Sequence, residues 1–156
     1  MDKDYNISSQ YSSVLEAIFS RKKLAHLNLL EFFSDKIPDN EINNTRRYLD
    51  LLFKDTINGH LIQDLNPLND IEFTFDDKGS EVIKYLNFDF KKIKSKRSKT
   101  KELVVTVRDV TQQVLLSEQL KKEEARREKL LQLMLSILDV EPQMLTDFSE
   151  SMGIEQ

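Results

Sequence analysis

The chain has 156 residues, of which 39% are hydrophobic and 32% charged, and its formal net charge is -4. This length allows one domain with its own core plus an appended helix, and the negative balance argues against a general nucleic-acid binder. The absence of cysteine excludes disulfides, thiolate metal sites and cysteine nucleophiles. No apolar run approaches the roughly 20 residues that span a bilayer. The N-terminus also lacks a signal-peptide core, so a cytoplasmic chain without membrane insertion is expected.

The first part of the chain has the apolar spacing of helices. A helix is predicted over residues 12–19 behind a Ser-rich start, short helices over the apolar cluster 24–33, and a longer helix over 39–53. Asn58-Gly59 and Asn66-Pro67 are turn signals.

The pattern then changes to the two-residue alternation of strands. The first strand is predicted around Ile71, Phe73 and Phe75, a hairpin turn over 76–79, and the second strand over 85–90. Residues 94–101 are basic and are predicted to form an exposed loop, and a third strand follows over 103–110. Three sequential antiparallel strands preceded by helices predict an α+β domain, whose helices cover the apolar face of the sheet.

From Gln112 the apolar residues again follow a helical period. Seven positions are spaced by alternating steps of four and three, as in a coiled coil with a charged middle: Leu116, Leu120, Glu123, Arg127, Leu130, Met134 and Ile137. The helix could pair with a second chain or lie along its own domain. It is predicted to end within residues 139–142, where Pro142 begins a further short helix over 143–152. The chain stops soon afterwards, which suggests a fragment.

The segment 104–111 ends in Asp109-Val110-Thr111 and passes directly into this helix. Such an ending resembles the last strand of a PAS sensory domain. Residues 2–7 are similar to the Asp-x-x-Gly-x-Ile turn of that family, with Tyr5 in place of Gly. Residues 24–30 are similar to its Leu-Ile-Gly-x-Asn-Leu-Leu segment, with His26 in place of Gly. The resemblance covers roughly residues 2–111, and the first strand of the family would precede Met1 or be missing.

The resemblance implies a PAS-like antiparallel sheet covered by short helices and followed by a long helix of coiled-coil type. Residues 1–111 would form the sensory domain, 112–138 the signalling and dimerisation helix, and 139–156 the start of a further helical region. The segment 130–152 also resembles linkers that lead into phosphotransfer or kinase regions of bacterial sensor proteins. The implied function is a sensory and dimerisation module of a two-component histidine kinase, which forms a homodimer and acts on a downstream kinase or phosphotransfer region.

Asp109 and Thr111 are the candidate signal-relay residues. In the family the Asp is expected to tie the last strand to the base of the helix. Independently of the family resemblance, Thr111 could cap the N–H groups near Val114, and Asp109 would place negative charge beside the helix N-terminus. The alternative is an ordinary helix cap with no role in signalling.

No group of residues has the spacing of a metal-binding or catalytic site. The two histidines, His26 and His60, have no partners at metal-ligand spacing, so neither zinc nor haem nor a phosphoacceptor role is expected. No cofactor can be named, and none is expected. No nucleophile with a base and no acid pair can be identified, so the chain alone is not expected to be an enzyme. The basic run 91–99 could contact phosphate but is typical of a solvated hairpin connection.

The interior is predicted to be rich in phenylalanine. Seven rings are expected there: Phe19, Phe32, Phe33, Phe73, Phe75, Phe88 and Phe90. They could enclose a pocket for an apolar ligand, or fill the core completely. In the second case the chain would be a purely structural protein–protein interaction domain without a ligand.

Overall fold

The computed structural model describes residues 1–54, 59–93 and 101–151. The elements within these ranges are α1 (Ser13–Ile18), α2 (Leu29–Phe33), α3 (Asp39–Phe53), α4 (Gly59–Gln63), β1 (Ile71–Asp77), β2 (Ser80–Ile93), β3 (Glu102–Asp109) and α5 (Thr111–Ser151). Two compact units are present, one comprising Met1–Val114 and the other beginning at Leu115. The predicted α+β class, the three-stranded antiparallel sheet and the long C-terminal helix are confirmed.

The sheet has the strand order β1-β2-β3, with β2 in the centre and antiparallel to both neighbours. The turn between β1 and β2 consists of Lys78 and Gly79, which have φ angles of 54° and 86°. A two-residue hairpin loop with both residues at positive φ matches the right-handed twist of the strands. The Gly79 N–H also donates to Asp76 Oδ1 at 2.8 Å. The hairpin predicted over residues 76–79 is therefore confirmed.

β2 is longer than the strand predicted over 85–90, because β1 and β3 pair with different parts of it. β1 pairs with residues 80–86 and β3 with residues 86–93. Lys84 interrupts the apolar alternation on the inward face, which hid the first half of this strand from the sequence. Its ammonium group donates to the Ile18 carbonyl at 2.7 Å and to the Ala17 carbonyl at 3.2 Å. It thus satisfies carbonyl groups at the end of α1, which have no partner within the helix.

The first two helices begin at polar caps. Ser12 Oγ accepts from the Val14 N–H at the start of α1, and Asn28 Oδ1 accepts from two amides at the start of α2. α3 has the bounds predicted from the sequence. Of the cluster 24–33, only α2 is helical, since Leu24 and Leu27 flank a turn around His26.

α4 begins at Gly59, the second residue of the predicted turn Asn58-Gly59. Asn58 lies outside the described residues, and Gly59 is the first residue of the helix. Five residues are too few to show a helical period in the sequence, although Ile62 is buried in the core. The predicted loop 94–101 also lies outside the described residues, except for Lys101.

The core lies between the inward face of the sheet and the helices that precede it. All seven phenylalanines that were predicted to be inside are buried. Phe33 is at the centre of the cluster, with its ring centroid 4.9 Å from that of Phe73 and 5.3 Å from that of Phe88, both in edge-to-face geometry. Phe19 and Phe32 extend the cluster at 4.9 Å. Such geometries are favourable for aromatic pairs and add to the free energy gained from burial.

α5 continues through residues 139–142 to Ser151, so the helix break predicted there is wrong. A proline inside a helix removes one backbone hydrogen bond, but the bonds on either side can hold the helix together. Among the described residues, none of the helices has the combination of length and hydropathy needed to cross a bilayer.

Candidate functional site

The candidate site lies where β3 ends and α5 begins, with Val110 as the one residue between Asp109 and Thr111. The Val110 N–H donates to the Tyr85 carbonyl at 2.9 Å, which extends the ladder between β2 and β3 one step beyond Asp109. The Val110 carbonyl accepts from the Val114 N–H at 3.0 Å, which is the first helical bond of α5. One residue therefore belongs to the sheet through its N–H and to the helix through its carbonyl.

Thr111 attaches the first residue of α5 to the central strand. Its hydroxyl oxygen accepts from the Tyr85 N–H at 3.0 Å and donates to Asp109 Oδ1. The hydroxyl takes the place of the Val110 carbonyl, which would accept the Tyr85 N–H if the antiparallel ladder continued. The prediction that Thr111 caps the Val114 N–H is wrong, because that amide is already bonded to Val110 and the hydroxyl is turned toward β2.

Asp109 binds the same threonine through two groups. Its Oδ1 accepts from the Thr111 N–H at 3.0 Å as well as from the Thr111 hydroxyl. This amide is in the first turn of α5, where N–H groups have no partner within the helix. The negative charge also lies at the end of the helix where the macrodipole favours it. The structure thus brings the two predicted residues together at the helix base.

Tyr85 is the member of this site that sequence reasoning missed. Its backbone N–H and carbonyl bond to Thr111 and Val110, and its phenol hydroxyl donates to Glu72 Oε2 on β1 at 3.0 Å. One connected set of polar contacts therefore joins β1, β2, the end of β3 and the start of α5. We call Glu72, Tyr85, Asp109 and Thr111 the junction network. The sequence places Tyr85 in a predicted strand, but the residues that it contacts on neighbouring strands can be identified only from the strand register.

An apolar cleft of about 700 Å³ lies beside β3. One wall contains Ile7, Leu15 and Ile18, and the other contains Val105 and Val107 of β3. Both valines are half-buried and lie on the strand that ends at Asp109. The cleft is therefore adjacent to the strand that leads into α5.

The beginning of the chain pairs with the outer edge of β3. The Met1 ammonium group donates to the Leu103 carbonyl at 2.8 Å, and the Leu103 N–H donates to the Met1 carbonyl at 2.9 Å. Two mutual bonds between one pair of residues are the pattern of an antiparallel ladder. Met1 also lines the apolar cleft.

Among the described side chains, His26 is not part of a recognisable site. His26 is exposed in a turn, where its backbone N–H donates to the Ile7 carbonyl at 2.8 Å. The side chain of His60 lies outside the described part of the chain. Within residues 1–54, 59–93 and 101–151, no three His, Cys, Asp or Glu side chains are arranged to hold a metal ion.

Comparison of the chain with protein-family models, with characterised proteins and with solved structures found no match. The resemblance to PAS domains therefore stays a prediction from the residues. The functional argument depends on the geometry of the junction network and of the apolar cleft.

Proposed function

We propose that this chain is a PAS-like sensory and dimerisation module of a bacterial two-component signal-transduction protein, with a histidine kinase as its output. The module acts in the cytoplasm, senses an apolar ligand or a partner, and passes the signal through α5 to a downstream kinase or phosphotransfer region. It forms a homodimer through α5 and has no catalytic activity of its own.

The observation that carries this proposal is the junction network. Only one residue separates β3 from α5, and the first turn of the helix is hydrogen-bonded to both β2 and β3. A shift of β3 relative to β2 would therefore change the bonds that fix the first turn of α5. A ligand with different affinities for two such arrangements would shift the population between them.

The backbone at Tyr5 and His26 also supports the proposal. These residues occupy the two positions where the family pattern has glycine, and their φ angles are 65° and 62°. Glycine adopts this left-handed region at little cost, whereas other residues do so rarely. The chain therefore has the glycine-like backbone of both turns without the glycines.

The apolar cleft suggests how a signal could reach the junction. Val105 and Val107 line it, and they lie four and two residues before Asp109 on the same strand. An apolar ligand or partner segment in the cleft would contact β3 directly. The lining of the cleft is mainly apolar, which favours an apolar ligand over a polar metabolite.

The alternative function is that of a structural protein–protein interaction domain, and the packed phenylalanine cluster favours it. Ring centroids 4.9–6.5 Å apart connect Phe19, Phe32, Phe33, Phe73, Phe75, Phe88 and Phe90. Mass spectrometry of extracts from the purified protein, with thermal-shift screens of apolar compounds, separates the two functions. A compound that is retained, or that raises Tm, supports sensing.

The direct test is Asp109→Ala in the signalling protein that carries this module. We expect altered kinase output with an intact fold, because the first turn of α5 loses the carboxylate that binds Thr111. Asp89→Ala is the matched control, since Asp89 is also exposed and pairs with Arg108 at 2.7 Å on the sheet surface. Unchanged output in the Asp109 variant would contradict the relay role. The isolated chain incubated with labelled ATP should give no phosphoprotein.

A further inference from the structure

The apolar side chains of α5 between Leu115 and Leu138 are largely exposed. Leu116, Leu120, Leu130, Met134 and Ile137 retain 50–64% of their accessible surface. A helix with an uncovered apolar stripe gains most of its stability from packing that stripe against another element. This face therefore requires a partner.

Two opposite charges interrupt the stripe at its middle. Glu123 and Arg127 lie between Leu120 and Leu130 and continue the alternating steps of three and four residues that define the coiled-coil seam. Within one chain Glu123 pairs with Arg126, 3.3 Å away, and its side chain remains 55% exposed. A partner that covers the stripe must accept one negative and one positive charge on adjacent turns.

A second copy of this chain meets that requirement. When two seams pair in register, two Glu123 and two Arg127 side chains form a ring with no net charge. Each Glu123 can reach Arg127 of the other copy, because these residues lie in neighbouring layers of a coiled coil. A shift by one heptad would instead place the charges of Glu123 and Arg127 against leucine or methionine.

The charges alone permit parallel or antiparallel pairing, and the width of the apolar surface decides between them. Leu131, Leu133 and Leu138 widen the apolar face beside the seam over residues 130–138. In a parallel pair this wide region packs against itself. In an antiparallel pair it would lie against residues 112–120, where the flanking side chains Ser117 and Gln119 are polar. Apolar burial therefore favours the parallel pair.

We propose that α5 forms a parallel coiled coil with α5 of a second copy, in which Glu123 and Arg127 form a charged ring that fixes the register and selects an identical partner. This inference rests on the dimerisation stated under the proposed function. It adds which residues determine the pairing and in which orientation.

Charge reversal tests the ring in the full chain. Glu123→Arg gives four positive charges and Arg127→Glu gives four negative ones, so each homodimer should dissociate at least about tenfold more readily. A mixture of the two variants restores opposite charges and should form heterodimers. Glu118→Arg and Lys122→Glu are controls with the same charge changes away from the seam. Sedimentation of differently tagged chains measures these species.

Introduced cysteines test the orientation, because the chain has no cysteine of its own. The Leu120→Cys variant should form a disulfide-linked dimer without any second variant present. A link that forms only when Leu120→Cys is mixed with Leu130→Cys would overturn the parallel arrangement. Homodimers that persist in both charge variants, or a mixture without heterodimers, would overturn the ring while dimerisation stands. A wild-type chain that stays monomeric at all concentrations would overturn both.

Discussion

Single side chains in this molecule replace backbone groups at the point where the sheet meets the helix. The Thr111 hydroxyl accepts the Tyr85 N–H that the Val110 carbonyl would accept in a continued ladder, and Asp109 accepts the Thr111 N–H. Both amides would lose these acceptors if the two side chains were apolar. The cost of an unsatisfied amide is greatest where water is partly excluded, as at the part-buried Tyr85 N–H.

Thr111→Val should lower the free energy of unfolding by about 1–3 kcal/mol, because the shape is kept while the acceptor for the Tyr85 N–H is lost. Thr111→Ser, which keeps the hydroxyl, should recover most of this loss. Urea unfolding followed by circular dichroism measures the difference. Thr106→Val on the exposed face of β3 is the control. An equal loss in the free energy of unfolding at both threonines would show that the Thr111 hydroxyl stabilises the fold no more than an exposed threonine does.

His26→Gly should stabilise the fold by about 0.5–1 kcal/mol, since glycine relieves the left-handed backbone at φ 62°. The side chain is exposed, and the backbone bond to Ile7 remains. Asn44→Gly, in the exposed interior of α3, should destabilise by a similar amount. Chemical unfolding of the two variants should give shifts of opposite sign. A loss of stability in both would argue against strain at His26.

Alkaline pH should destabilise the protein through the buried phenol of Tyr48. Burial, followed by the negative charge of Asp89, raises the pKa of Tyr48 from 10.0 to about 12. The unfolded chain therefore loses this proton first. The stabilising contribution is complete below pH 10 and is lost as the pH rises toward 12. Tyr48→Phe should show a smaller decrease in the free energy of unfolding between pH 9 and 12, measured by urea unfolding. Equal slopes for both proteins would contradict this assignment.

At the scale of elements, the agreement between sequence and structure follows the strength of the local pattern. The bounds of α3 could be predicted because its fifteen residues repeat apolar positions on one face after Pro38. α4 could not, because it has five residues. The first half of β2 was hidden by Lys84, whose inward ammonium group bonds to carbonyls of α1 that are distant in sequence. Likewise, Asp109 and Thr111 could be identified from their motif, whereas Tyr85 required the register of β2 and β3.

Asn28→Ala should destabilise the protein by about 1–2 kcal/mol through the start of α2. Asn28 Oδ1 accepts from the Leu30 and Glu31 amides, both at 3.1 Å, and its Nδ2 donates to the Asp4 carbonyl at 2.9 Å. The residue thus fixes α2 and the first turn of the chain together. Asn44→Ala on the exposed face of α3 should be neutral or slightly stabilising. Thermal unfolding compares the two, and equal Tm values would count against the cap.

At the scale of the whole molecule, the two compact units differ in what stabilises them. The buried hydrophobic residues extend from Phe19 to Leu103 and therefore belong to the unit Met1–Val114. In contrast, the large apolar side chains of α5 from Leu115 to Leu138 are at least half exposed. We expect the first unit to be stable on its own, while the helix depends on a partner.

A chain that ends after Val114 should therefore fold and unfold cooperatively, with a Tm within a few degrees of the same transition in the full chain. It keeps the bonds of Asp109, Val110 and Thr111, including the one from the Val114 N–H. Its Tm should not depend on protein concentration, whereas helical melting in the full chain should, because association stabilises only the paired state. Circular dichroism at several concentrations measures both. A truncated chain without a cooperative transition would show that residues after Val114 support the core, and that the separation into two stability units is wrong.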